Sequence, residues 1–241
     1  MSSSLAQILI TQRRFDRRFY LGCCLVFLVL VVWAFARTYY LKAFFHTPTL
    51  TQLVHVHGVV MTGWVVLLLV QTSLVVARRV QWHRRLGTFG GVWAILVFIL
   101  GSTTTFHAAA REVREHSPAA TFQVSVLGLE LLQMLLFAGF VATAIWLRHR
   151  TDYHKRFMVL TAACMMPSVI PRLPFNIQGF ASIVLYLALF VFAAVAIDTV
   201  RSRRLHPAFG WGAALILVVM GIGVIASTTP WWIKLGTSLV S

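Results

Sequence analysis

Acidic residues are scarce in this sequence, and charged residues of any kind are few. Only 6 of its 241 residues are Asp or Glu, against 21 Lys or Arg, and charged residues make up 11% of the chain. A soluble domain carries about 25% charged residues. The low charge, together with a hydrophobic content of 59%, excludes an ordinary soluble globular protein and predicts a protein embedded in a membrane.

Cysteine is also scarce, and familiar catalytic motifs are absent. Cys23, Cys24 and Cys164 all lie within apolar stretches, where buried free thiols are common. The sequence contains no CxxC pair, P-loop, HExxH motif or nucleophile elbow. It therefore indicates neither a disulfide framework nor a recognised catalytic site, and it leaves open whether the protein is an enzyme.

Long apolar runs are what the sequence does have. A transmembrane helix needs about 20 apolar residues, and seven such runs are predicted, at residues 19–40, 52–77, 86–109, 121–147, 157–174, 180–200 and 209–233. Pro167, Pro171 and Pro174 predict that the fifth run is a broken or re-entrant helix. The expected fold is an all-α polytopic membrane helix bundle. Residues 19–241 would form a single transmembrane domain, preceded by a cytoplasmic interfacial segment at residues 1–18.

Basic residues are distributed unevenly between alternate loops. Of the 21 Lys and Arg, 15 fall on one side and 6 on the other. The minority are Arg37, Lys42, Arg111, Arg114, Arg172 and Lys234. Because basic loops stay in the cytoplasm, seven spans place the N-terminus in the cytoplasm and the C-terminus in the periplasm of a bacterial inner membrane. The basic face is expected to attract anionic lipids. Nucleic acid is not an expected partner, since no separate basic domain exists.

Two histidines near the start of the second run give the strongest functional indication. His55 and His57 point about 200° apart on a helix, so they face different neighbours. Ionisable groups inside a membrane are costly and are often functional. One of them, together with His107 at a similar depth in the third run, would supply axial ligands to a b-type haem. The alternative is that these histidines form hydrogen bonds between helices and serve packing.

Two charged residues are predicted near these histidines. Glu130 is the only acid well inside a predicted span. It is interpreted as a proton carrier, as a metal ligand together with His55 and His57, or as an inter-helix hydrogen-bonding group. Arg172 is interpreted as binding a haem propionate or a quinone headgroup, or as extending toward the membrane surface.

A second group of histidines lies beside basic residues at the predicted cytoplasmic face. His83, His154 and His206 each come just before the chain re-enters the membrane. One interpretation is a second haem site or a quinone site. The favoured interpretation is that they contact helix ends and lipid phosphates at the interface.

The run Leu53-Val54-His55-Val56-His57-Gly58, followed by His83-Arg84-Arg85-Leu86-Gly87, resembles a family of uncharacterised bacterial multi-span membrane proteins over the first five spans. More distantly, these stretches resemble cytochrome b561-type haem proteins and small membrane proteins linked to haem–copper oxidase assembly. The resemblance implies redox or oxidase-related work with haem b or a metal. The alternative is a non-catalytic accessory or assembly subunit within a larger membrane complex, or a small-solute carrier.

Overall fold

The computed structural model describes residues 2–174 and 179–241, with side chains described for residues 18–174, 179 and 182–241. Every regular element in these residues is helical. The helices are α1 (Ser2–Phe35), α2 (Lys42–Phe45), α3 (Gln52–Val76), α4 (Val80–Arg114), α5 (Ala120–Trp146), α6 (Thr151–Cys164), α7 (Met166–Val169), α8 (Phe180–Ser202), α9 (Pro207–Ser227) and α10 (Pro230–Val240). The all-α prediction is thereby confirmed. Helix α1 continues without a break past residue 18, so no boundary separates residues 1–18 from the first span. A separate interfacial segment therefore stays a prediction.

Six described helices are long and apolar enough to cross a membrane. They are Arg18–Tyr40, Gln52–Val76, Val80–Arg114, Ala120–Trp146, Ser182–Ser202 and Pro207–Ser227. Large apolar side chains lie on their outward faces, among them Trp211, which is 80% exposed, and Val200, which is 79% exposed. An apolar surface this extensive would cause a soluble protein to aggregate, but it matches the hydrocarbon of a bilayer.

The fifth predicted run is a helix broken by proline, as expected. It consists of α6, a break at Met165, α7, and a 3₁₀ turn over Ile170–Arg172. Pro167 and Pro171 lack an N–H group, so they cannot continue the α-helical hydrogen bonds. α6 contacts α1, α5, α8 and α9, which enclose it within the bundle.

The last predicted run, at residues 209–233, is too long. α9 ends at Ser227, and α10 begins after Thr229, whose hydroxyl accepts a hydrogen bond from the Trp232 N–H group. α10 packs on α4 and α5. The Trp232 indole N–H group donates to the Val124 carbonyl at 2.9 Å, and its ring lies against Gly128. The chain therefore turns at Thr228 and covers the ends of two helices.

The bundle has two ends, which we name from α3. The upper end holds Thr51, where α3 begins, together with the last turns of α4, the first turns of α5, the 3₁₀ turn and α10. The lower end holds Ala77, where α3 stops, together with the first turns of α4, α6 and α9 and the last turns of α5 and α8. The residues discussed below fall into one group at each end.

A buried ion cluster at the lower end joins three helices. Asp198 of α8 is completely buried. Its Oδ2 atom accepts hydrogen bonds from Nε and Nη2 of Arg156 on α6 at 2.8 and 2.7 Å. Its Oδ1 atom accepts from the Tyr20 hydroxyl on α1 at 3.0 Å and from Arg201. Two cations and a hydroxyl thus satisfy a charge that would otherwise be very costly to bury.

This cluster is not apparent from the sequence. Glu130 was expected to be the only acid well inside a span. Asp198 did not count as well inside, because it lies only two residues from the predicted end of its own span. The structure corrects this expectation, because the lower end of α8 is covered by α1 and α6 and does not face water.

Replacing Asp198 by Ala is expected to destabilise the protein by about 3–5 kcal/mol, because Arg156 would lose its carboxylate partner while remaining buried. Thermal unfolding in detergent measures the change. Glu115→Ala, which removes an exposed carboxylate, is the control and should alter stability by less than about 0.5 kcal/mol. An Asp198→Ala variant as stable as the parent would contradict the role given to the cluster.

Candidate functional site

His57 and His55 occupy different environments although they are two residues apart. His57 is half-buried, and its Nδ1 atom is buried without a hydrogen-bond partner among the described residues. The ring has a hydrogen bond to the backbone of Leu100 on α4, and the charge of Arg172 acts on the ring. His55 is exposed, and its ring centroid lies 6.0 Å from that of Tyr39. Only His57 is therefore directed toward the interior of the bundle.

Glu130 and Arg172 reach the same region from α5 and the 3₁₀ turn. The hydroxyl of Thr105 on α4 donates a hydrogen bond to the Glu130 carboxylate, and the charge of Glu130 acts on Arg172. Arg172 donates to the Ser168 carbonyl, and its guanidinium lies 4.7 Å above the ring of Phe35 on α1. A positive charge, a carboxylate and an imidazole thus share one region of the upper half.

A buried amide extends this polar region. Gln133 on α5 donates to the Ser168 hydroxyl at 2.9 Å, and that hydroxyl lies 3.1 Å from the amide oxygen. The hydroxyl of Thr104 is buried without a partner among the described residues. We call the following residues the upper network: His57, Thr104, Thr105, Glu130, Gln133, Ser168 and Arg172.

Not every predicted ligand reaches the upper network. His107 is exposed, and it lies seven residues beyond Leu100 on α4, which corresponds to about 10 Å along the helix axis. Within the described residues, no three His, Cys, Asp or Glu side chains lie close enough to hold a metal ion. The geometry therefore brings one imidazole into the network, without His55 or His107 as a second ligand.

The unpartnered Nδ1 atom of His57 is the most informative feature of the upper network. Buried polar atoms without a partner are few in folded proteins, and a role in binding or catalysis is a common reason for them. The Thr104 hydroxyl, on the helix that lines the His57 ring, is a second such atom. Thr104 precedes Thr105, whose hydroxyl donates to Glu130.

Several signals in the sequence led to part of this network. Glu130 and Gln133 stand out as polar residues within a span, and His57 stands out as an intramembrane histidine. Thr104 stands out as part of the run Thr103-Thr104-Thr105 at the outer end of the third predicted span. Ser168 does not stand out, because Ser is ordinary in membrane helices, where it bonds to carbonyls of the preceding turn.

The three lower-end histidines separate into a pair and a single residue. The ring centroids of His83 and His154 lie 6.3 Å apart. His206 is instead buried beside Tyr153 and caps α9, because its Nδ1 atom accepts a hydrogen bond from the Ala208 N–H group at 3.2 Å. Its Nε2 atom faces Asp152 at 3.2 Å. For His206, the prediction that these histidines meet helix ends is thereby confirmed.

The surroundings of His206 and Asp152 shift both pKa values downward. Burial lowers the pKa of His206, and the hydrogen bond to Asp152 offsets this only in part. Burial acts to raise the pKa of Asp152, but hydrogen bonds from His206 and from the backbone N–H groups of Asp152 and Tyr153 outweigh it, so the pKa lies below its usual value. Both groups are therefore harder to protonate in the folded protein than in the unfolded chain.

Acidification is expected to destabilise the protein through His206. Because its folded pKa is lowered, the unfolded chain binds more protons once the pH falls below about 6.5, so stability present above that pH is progressively lost below it. Thermal unfolding between pH 7.5 and 5.5 measures this. His206→Asn keeps a good N-cap without the titrating ring and should reduce the pH dependence. His149→Asn, at an exposed position, should not, and equal pH dependence in both variants would contradict the assignment.

Comparison with known proteins yields no relative. No family model, no curated protein and no solved structure matches this chain.

Proposed function

We propose that this chain is a multi-pass membrane protein whose upper network binds a ligand through His57, and that b-type haem is the ligand that suits it best. The buried, unpartnered Nδ1 atom of His57 supports this proposal. Neutral imidazole is a common ligand of haem iron. The guanidinium of Arg172, close enough for its charge to act on His57, is suited to a carboxylate such as a haem propionate.

The roles of the other residues follow from this assignment. His57 would hold the iron and Arg172 a propionate, while Glu130, bonded to Thr105, would hold or release a proton at the same site. The haem would supply one-electron chemistry, which agrees with redox or oxidase-related work. His55 and His107 would have no part in this haem site. A transition metal without a porphyrin, held by His57, is the other ligand considered.

Absorption spectroscopy of protein purified from haem-replete cells tests this assignment. A Soret band is expected in the parent protein and should be lost in His57→Ala. His55→Ala is the matched control, because His55 lies on the same helix but is exposed, and the band should persist. Unfolding temperatures of both variants establish that they fold. A colourless, iron-free parent protein would reject haem, and zinc and copper analysis of that sample would then test the metal variant.

A second function is supported by the environment of Glu130. We propose, as the alternative, a small-solute carrier or accessory subunit in which Glu130 takes up a proton. This half-buried carboxylate accepts a hydrogen bond from Thr105, and its charge acts on Arg172. Acids within a membrane often carry protons. Co-purification with a larger membrane complex would identify the accessory form.

Proton movement into proteoliposomes, followed with an entrapped pH dye, tests the carrier form. An imposed pH gradient should dissipate faster with the parent protein than with empty vesicles. Glu130→Gln should remove this difference, because it keeps the side-chain shape but cannot ionise. Glu115→Gln, at an exposed site, should not. Equal rates in vesicles with and without the parent protein would reject the carrier.

We also propose that α6, α7 and the 3₁₀ turn together make a seventh crossing, with the lower end in the cytoplasm of a bacterial inner membrane. The 22 residues from Thr151 to Arg172 span about 33 Å at helical rise, close to the thickness of the hydrocarbon core. The basic loops gather at the lower end, where Arg78, Arg79 and Trp82 line a cleft and are suited to anionic lipid headgroups.

Reporter fusions test this topology. Alkaline phosphatase fused after Ser241 should be active, because that residue would lie in the periplasm, and the same enzyme fused after Arg204 should be inactive. An inactive fusion at Ser241 would contradict the seventh crossing or the orientation.

A further inference from the structure

A π-helical turn follows α1 at the upper end of the bundle. It covers Ala36–Tyr40, and the Leu41 N–H group donates to the Ala36 carbonyl oxygen at 2.7 Å, five residues earlier in the chain. An α-helix closes the same hydrogen bond over four residues, so this turn holds one extra residue. Because each residue turns a helix by about 100°, the extra residue changes the direction in which Tyr39 and Tyr40 point. Turns of this kind are rare and are often found at functional sites.

Both tyrosines of this turn contact α3. The Tyr39 hydroxyl donates to the His55 carbonyl at 3.2 Å, and its ring covers Gly58, where a Cβ atom would lie 2.5 Å from the ring. The Tyr40 hydroxyl lies 2.8 Å from the Thr62 hydroxyl. Because Thr62 donates its single hydroxyl proton to the Gly58 carbonyl at 2.7 Å, Tyr40 is the donor in this pair. The two tyrosines therefore bind one face of α3.

That face of α3 lies well away from His57 around the helix axis. At about 100° per residue, its three residues are separated from His57 by about 100–160°. Trp93 of α4 contacts α3 on the other side of His57. Its indole N–H group donates to the Val60 carbonyl at 3.0 Å, and a Cβ atom at Gly63 would lie 2.5 Å from its ring. Val60 and Gly63 lie about 60–120° from His57 in the opposite sense. We call Tyr39, Tyr40 and Trp93 the aromatic clamp.

We propose that the aromatic clamp fixes the rotation of α3, so that His57 rather than His55 faces the upper network. Because the two imidazoles point about 200° apart, about half a turn of α3 would exchange them, and the clamp prevents that turn by holding α3 on two sides. The members of the clamp are thus positioning residues for the ligand site. The proposal rests on the ligand-binding role proposed for His57, but the rotation can be measured without a ligand.

Solid-state NMR of the ligand-free full chain in lipid bilayers, with labelled histidine and leucine, tests the proposal. The ring of His57 has a hydrogen bond to the backbone of Leu100, so a through-space signal between these two residues is expected in the parent protein. His57→Gln identifies this signal by removing it. The exposed ring of His55 should give no signal with Leu100.

Two variants displace the clamp and leave His57 in place. Deleting Ala36 removes the extra residue of the π-helical turn. Gly58→Ala places a Cβ atom 2.5 Å from the present position of the Tyr39 ring, which must therefore move. Each variant should weaken the through-space signal at least threefold. Gly139→Ala is the matched control, because a Cβ atom there would meet nothing within 4 Å, and the signal should be unchanged.

A milder variant keeps the test decisive if either displaced variant fails to fold. Tyr40→Phe keeps the ring but removes the hydroxyl bonded to Thr62, and it should weaken the His57 signal at least twofold. Unfolding temperatures in detergent show which variants fold. Where the parent protein has a Soret band, the displaced variants should lose at least half of its intensity although they retain His57.

The haem proposal and the positioning role can fail separately. A parent protein without a Soret band rejects haem and leaves the NMR test of the clamp intact. A signal between His57 and Leu100 that is absent from the parent protein, or that is unchanged in every folded variant of the clamp, would overturn the positioning role, whether or not a Soret band is present.

Discussion

The Asp198 carboxylate is the group on which the arrangement of the lower half depends. No water is at hand in the hydrocarbon core of a bilayer, so a buried charge must find its partners within the protein. Asp198 finds them in Arg156, Arg201 and Tyr20. These contacts fix the rotation of α1, α6 and α8 relative to one another, because a turned helix would leave a charge unpaired.

The polar contacts around Asp198 continue through α6 to the start of α9. Arg156 also donates to the Asp152 carbonyl at 2.8 Å, and the Asp152 carboxylate contacts His206 at the first turn of α9. Four helices are therefore tied together by charged or strongly polar contacts at one end. Little polar capacity of Asp198 or His206 is left for a ligand, so these residues are assigned to structure.

The upper network is organised differently. Glu130, Thr105, Gln133 and Ser168 are hydrogen-bonded, but Nδ1 of His57 is buried without a described partner. Proteins often leave buried polar groups without hydrogen bonds at functional sites, and interactions elsewhere in the fold supply the lost stability. The pairing of Asp198 in the lower cluster stabilises the bundle, and the upper network, where Nδ1 of His57 is buried without a described partner, is where ligand binding is proposed.

Much of the fold was predictable, because hydropathy and proline determine where helices run and break from residues close together in the sequence. Six apolar helices and the break after Cys164 follow directly from apolar run length and the position of Pro167. The start of α10 also had a signal, since Thr229 followed by Pro230 is a typical helix start, but the apolar content of Trp231 to Ile233 obscured it.

The pairing of side chains was harder to predict, because it depends on helix rotation. The 200° separation of His55 and His57 indicated that they face different neighbours, but it did not indicate which one faces the interior of the bundle. The pairing of Asp198 with Arg156 joins two helices across 42 residues and leaves no periodic pattern. Arg201, three residues from Asp198, was the one local sign that this acid is paired.

The proposed function requires that Nδ1 of His57 faces a ligand. Cryo-electron microscopy of protein extracted from its native membrane can show whether it does. We expect non-protein density in contact with that nitrogen and extending toward Arg172. A well-ordered map in which Nδ1 of His57 contacts only protein atoms or solvent would contradict it.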